Sequence, residues 1–154
     1  MTFRIRGLAA DSFHDLFNLD DEALAARDMR RVIADEPHAA PCRVTLEDAA
    51  PGERLILLPY AHQTAHSPYQ ASGPVFVRES AQQAFDDVGR LPPVFEGRML
   101  SIRAYDADGL MTDAGLAQSD PRALFERFFA DPAVAYLHVH YANRGCYACR
   151  VDRA

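Results

Sequence analysis

The C-terminal segment of residues 134–153 constrains this fold more than any other part of the chain. Val134 to Ala142 and Cys146 to Asp152 are rich in β-branched and aromatic residues, and Asn143-Arg144-Gly145 lies between them. That pattern predicts a β-hairpin. A three-residue loop fits, with Gly145 in the left-handed conformation of a bulged turn. Ala142 then pairs with Cys146, and His140 with Ala148. Alternate residues of a strand point to opposite faces. One face therefore carries His138, His140, Cys146, Ala148 and Arg150. The other carries Val139, Tyr141, Tyr147, Cys149 and Val151, and its apolar character predicts that it packs on a core. The first face is ionisable and should border solvent or a cleft. A two-residue loop would put Cys149, not Cys146, on the histidine face.

Histidine and cysteine are the residues of metal sites, proton transfer and nucleophilic attack, so this hairpin holds the candidate catalytic side chains Cys146, His138 and His140. The parity argument weakens a zinc site at Cys146-x-x-Cys149. Structural zinc wants four converging ligands, and a strand runs through the only CxxC. No stoichiometric zinc is expected on this ground, and no cofactor is implied. A thioredoxin-like CxxC should open a helix after a strand, which this one does not. Cys149 reads as a small buried hydrophobe. His62 and His66 are four apart, a metal spacing only on a helix, and Thr64, Ser67 and Pro68 argue against helix there. Phosphate-binding loops, HExxH and GxSxG are absent from the sequence.

The remaining elements read less sharply. Phe3 to Gly7 alternates like an edge strand, and Phe13, Leu16 and Phe17 suit a helical turn. Asp20 can cap a helix running to about Arg31, with acidic residues in its first turn and arginines in its last. Cys42 to Leu46 and Met99 to Tyr105 alternate. Arg54 to Tyr60 is a strongly apolar, central strand, Ala61 to Pro74 a polar loop, and Val75 to Arg78 a short strand. Ser80 and Gln83 form a capping-box pattern for a helix ended by Gly89. Asp108-Gly109 marks a hairpin turn. Asp120-Pro121 starts a helix whose stripe is Leu124, Phe125, Phe128 and Phe129, and Pro132 stops it. About six strands and three or four helices without βαβ alternation give an α+β fold, mostly antiparallel, in a single domain over residues 1–154.

Strand phase makes a second observation. Arg43, Arg78, Arg103 and Arg150 each point away from the apolar side of their strand. If those strands are neighbours, the four arginines share one surface with Tyr105, His138 and His140. Guanidinium forks suit carboxylate or phosphate, so this surface is a candidate site for a small anionic molecule. The alternative is a solvated face of arginines paired with the chain's Asp and Glu. All 16 basic residues are arginine and the net charge is −6. No basic run suggests nucleic acid. No stretch approaches the ~20 apolar residues of a membrane span. The N-terminus lacks a signal-peptide core, and three cysteines do not form a secreted disulfide framework, so a cytoplasmic location is expected.

Several stretches together carry a family resemblance: Ala34-Asp35-Glu36-Pro37, Pro41-Cys42-Arg43, Gly52-Glu53, the run from Ser67 to Glu79, His138-Val139-His140, and Gly145-Cys146-Tyr147-Ala148-Cys149-Arg150. The chain resembles the bacterial domain-of-unknown-function family 1203. The resemblance implies a bacterial protein of similar size and transfers no activity and no catalytic residue. Three functional readings follow from the residues. The first is a domain binding a small anion on the arginine/histidine face. The second is an enzyme, using either Cys146 with a histidine base or His138 and His140 as metal ligands. The third is a non-catalytic interaction domain.

Overall fold

The computed structural model describes residues 2–154. Nine strands form two sheets. They are β1 (Phe3–Arg6), β2 (Arg30–Ile33), β3 (Arg54–Gln63), β4 (Ala71–Arg78), β5 (Asp86–Val88), β6 (Met99–Asp106), β7 (Met111–Gln118), β8 (Val134–Tyr141) and β9 (Tyr147–Arg153). The larger sheet has the order β5-β1-β9-β8-β6-β7, and the smaller β2-β3-β4. Every strand pairing is antiparallel. The only α-helices among the described residues are α1 (Asp21–Ala25) and α2 (Arg122–Phe129); three short 3-10 turns complete the helical content. This is an α+β fold with more strands and less helix than the sequence predicts. No helix of the described residues is long and apolar enough to cross a membrane.

The larger sheet forms because most of its strands turn alternate apolar residues to one side. Leu100, Ile102 and Ala104 of β6, Leu137 and Val139 of β8, and Cys149 and Val151 of β9 all enter one core. Helix α2 closes that core with Phe125, Phe128 and Phe129. Its start falls one residue later than the sequence predicts: Pro121 is the N-cap rather than the first helical residue, and the Asp120 carboxylate accepts from the Arg122 N–H at 3.0 Å. Phe125 also meets Phe3 edge-on, with ring centroids 5.1 Å apart. Replacing fully buried Phe125 by alanine is expected to cost ~3–5 kcal/mol. Urea unfolding of the variant measures it; an unchanged midpoint would contradict the packing.

Several local expectations give way to long-range contacts. Asp20 does cap α1, accepting from the Ala23 N–H at 2.8 Å, but the helix ends after one turn and a half, and Asp28 turns left-handed at φ 59°. Arg30–Ile33 then pairs with β3 as a strand, because pairing removes more unsatisfied backbone than a further exposed helical turn would. The Ser80 capping box starts no helix. The backbone N–H of Phe85 instead donates to Val44 O, and Asp86–Val88 adds β5 to the sheet edge, so β1 is not an edge strand. Cys42–Leu46 is not a strand but a buried turn, in which Leu46 N donates to Cys42 O and Leu46 sits at φ 52°. The polar segment after Tyr60 is not all loop: β3 continues to Gln63 and β4 begins at Ala71.

Candidate functional site

The histidine face of the larger sheet does not border open solvent. Cross-strand pairing sets Arg103 opposite His138, Ser101 opposite His140 and Tyr105 opposite Tyr136 on one face. The end of β3 in the smaller sheet lies over that face. His138 and His140 are buried to 3% and 1% exposure. The covering residue is His62, whose ring centroid is 5.0 Å from that of His140 and 6.2 Å from that of His138. Each of these three histidines offers a ring nitrogen, and the three nitrogens lie within 4.8 Å of one another.

Two β-bulges build this arrangement. In β3 the register runs from Ala61 opposite Ser72 to Gln63 opposite Ala71, leaving His62 as the extra residue. The bulge turns successive side chains toward the larger sheet: His62 meets the other histidines, and Gln63 donates to the Tyr136 hydroxyl at 3.0 Å. In the C-terminal hairpin Val139 opposes Cys149 but His140 opposes Tyr147, leaving Ala148 extra. Ala148 and Cys149 both enter the core. Bulges of this kind re-aim side chains beside functional sites.

The second bulge corrects the sequence-derived register. Gly145 is left-handed at φ 80°, as expected. The turn is longer, however: the Tyr141 N–H donates to Cys146 O and the Gly145 N–H to Tyr141 O. His140 therefore faces Tyr147 rather than Ala148. Tyr147, expected on the core side, stacks on His62 at 5.3 Å with an interplanar angle of 5° and stands edge-on to His138. Cys146, expected beside the histidines, instead accepts from Arg43 Nη2 at 3.2 Å and packs against the core. The structure does not assemble a Cys146–histidine pair. Cys149 is buried as expected, and its thiol is pushed well above the usual range by burial.

The four arginines do not share one surface. Arg78 lies in the smaller sheet and is neutralised by Glu47 at 2.6 Å and Glu53 at 3.3 Å. Arg43 is buried, its guanidinium donating to Tyr147 O at 2.7 Å and Pro41 O at 2.5 Å. Arg150 reaches the histidine face over the Tyr136 ring, 4.2 Å from its centroid, but pairs with Asp152 at 2.8 Å. Arg103 remains. It stands opposite His138, and among the described residues no carboxylate lies within ion-pair distance of it. Its charge acts on all three histidines. Tyr105 keeps its predicted place beside His138, with centroids 5.0 Å apart.

Burial and this charge hold the imidazoles neutral. Desolvation, then neighbouring His140 and His62, lowers His138 to about 3. Desolvation lowers His140 to about 4, opposed by its bond to Gly145 O and assisted by Arg103. Desolvation and Arg103 lower His62 as well. Neutral His140 donates from Nδ1 to Gly145 O at 2.9 Å, which leaves Nε2 as a lone-pair acceptor. That Nε2, Nδ1 of His138 and Nδ1 of His62 are buried without a hydrogen-bond partner. Three converging neutral imidazoles with free nitrogens form a donor set suited to zinc, copper, iron or nickel. Three protein ligands leave at least one coordination position for an external molecule. Sequence spacing misses His62: its i, i+4 relation to His66 suits a metal only on a helix, whereas its partners His138 and His140 lie across two sheets.

No curated protein and no solved structure matches the chain. A family match does: residues 39–153 fit the family described as "Protein of unknown function (DUF1203)". His62, Arg103, His138 and His140 all fall inside the matched span, as do Arg43 and Cys146. With about three-quarters of the chain matched, the protein belongs to the DUF1203 family.

Proposed function

We propose that this protein binds a transition metal on His62, His138 and His140 and uses the open coordination position, with Arg103, to hold a small anionic ligand. Two observations carry the reading: the three imidazoles each offer a ring nitrogen within 4.8 Å of the others, and each of the three rings has a buried nitrogen without a hydrogen-bond partner. A buried polar atom without a partner costs roughly 1–3 kcal/mol, and native proteins leave few such atoms. One cation held by the three imidazoles would account for them together. The Gly145 carbonyl then serves as the outer hydrogen-bond partner that fixes the His140 ring and tautomer, as in other histidine-ligated metals.

Arg103 supplies the anion preference. Neutral imidazoles leave a divalent ion with its full charge, so an anionic fourth ligand is favoured on electrostatic grounds. A guanidinium without a carboxylate partner can hold the other end of that ligand. Tyr105, Tyr136 and Tyr147 wall the site with aromatic rings and limit water. A metal in such a setting polarises a bound oxygen or lowers the pKa of bound water. The sequence alone leads to an expectation of no stoichiometric zinc in the protein; this proposal departs from it, because His62 adds a third imidazole to His138 and His140.

Titration of the metal-free protein with zinc by calorimetry tests the reading, with cobalt as a spectroscopic probe. About one ion per chain is expected, with intense visible cobalt bands of low coordination number. Azide or formate should shift those bands in the parent protein and do so more weakly in Arg103→Gln. Absence of stoichiometric uptake would sink the metal reading. Uptake with no response to any anion would leave the metal and remove the ligand preference.

A further inference from the structure

A polar cavity lies at the turn between β8 and β9, on the side occupied by Tyr141 rather than by the histidines. It encloses about 240 Å³. Arg43, Arg98, Arg144, Tyr141 and Cys146 line it, and no Asp or Glu does. In a chain of net charge −6, that lining is a local reversal of sign.

Three features make this more than a cysteine near an arginine. Arg43 is 1% exposed, and among the described residues it meets no carboxylate; its partners are two backbone carbonyls and the Cys146 sulfur. A buried charge without a counter-charge is costly, so the fold has a cation in place that an incoming anion would neutralise. The Tyr141 hydroxyl is buried without a partner, although its ring lies between two guanidinium groups, 5.0 Å from Arg43 and 5.3 Å from Arg98. Arg98 is rigid: Asp48 holds it at 2.7 and 2.9 Å, while Val94 O and His38 O accept from it at 2.8 and 2.6 Å. Arg144 is exposed at the rim.

We infer that this cavity is a binding site for a small oxyanion, a carboxylate or phosphate group carried on a molecule of a few heavy atoms. Arg43 and the Tyr141 hydroxyl meet the anion within, Arg144 draws it in, and Cys146 forms the adjoining wall. The inference does not depend on the metal site, which lies on the opposite face of β8.

Cys146 provides a built-in reporter. Iodoacetate and iodoacetamide alkylate a thiolate by the same displacement: sulfur attacks the methylene carbon, the carbon–iodine bond breaks and iodide leaves. They differ in charge. The ratio of their rates at Cys146, followed by mass spectrometry of peptides, is expected to be about 10-fold higher in the native protein than in the urea-unfolded chain. Inorganic phosphate should slow iodoacetate more than iodoacetamide. Arg43→Gln tests the buried cation; because it can destabilise the fold, Arg144→Glu at the exposed rim is the second variant, and it should lower the ratio while leaving the melting temperature in place. A native ratio equal to the unfolded one, or a ratio unmoved by both phosphate and Arg144→Glu, would overturn the inference.

Discussion

Replacing His138 by leucine is expected to abolish stoichiometric zinc binding while leaving the metal-free protein at least as stable as its parent. His138 sits at the centre of the histidine face, between Tyr105, Tyr136 and Tyr147. Its Nδ1 has no partner. Leucine is of similar volume and brings no polar atom, so the substitution removes an unsatisfied group rather than a good hydrogen bond. Loss of one of three protein ligands should weaken zinc by more than the ~10–100-fold typical of removing only an outer hydrogen-bond partner. Calorimetric titration and urea unfolding of the same sample measure the two effects. The combination distinguishes a ligand from a core residue: a purely structural His138 would lose stability and leave zinc uptake where it was.

Acidification is expected to destabilise the metal-free protein between about pH 6.5 and pH 4, before ordinary carboxylate titration is complete. The unfolded chain protonates its histidines near 6.5, whereas folded His138 and His140 resist protonation down to about 3 and about 4. Between these limits the unfolded state binds more protons, so stability falls as pH falls. The contribution is complete above pH 6.5 and is lost progressively toward the folded values. Two such groups amount to roughly 6 kcal/mol by pH 4, at about 1.4 kcal/mol per unit for each. His62 adds in the same direction. Urea midpoints at a series of pH values check the slope. The His138→Leu protein should show a shallower one, and equal slopes would mean that His138 is protonated as easily folded as unfolded. Bound zinc should oppose the loss, because it stabilises the form that carries neutral ligands.

Much of this molecule follows from local pattern. Leu100, Ile102 and Ala104 fall on one side of their strand and Arg103 and Tyr105 on the other because strand parity is a property of the chain itself. The Phe125, Phe128 and Phe129 stripe and the left-handed Gly109 and Gly145 are equally local. They hold because the residues within one turn or one pair of strands decide them.

Contacts between distant segments decide the rest. The Ser80 capping box is outweighed by pairing of Asp86–Val88 with β1, and the helix after Asp20 by pairing of Arg30–Ile33 with β3. A single inserted residue, Ala148, exchanges Cys146 for Tyr147 on the histidine face, since a one-residue change of register reverses every side chain beyond it. A second, at His62, turns an apparent loop residue into the third member of the site. The sequence by itself determined that His138, His140, Arg103 and Tyr105 each lie on the side of their strand away from the core; the pairing of β6 with β8 brings them onto one face. Only the tertiary structure decided that a second sheet buries that face, that His62 completes it and that Arg43 and Arg78 belong elsewhere. Alternation assigns a side to each residue, but which sheet packs against that side is settled by contacts far apart in the chain.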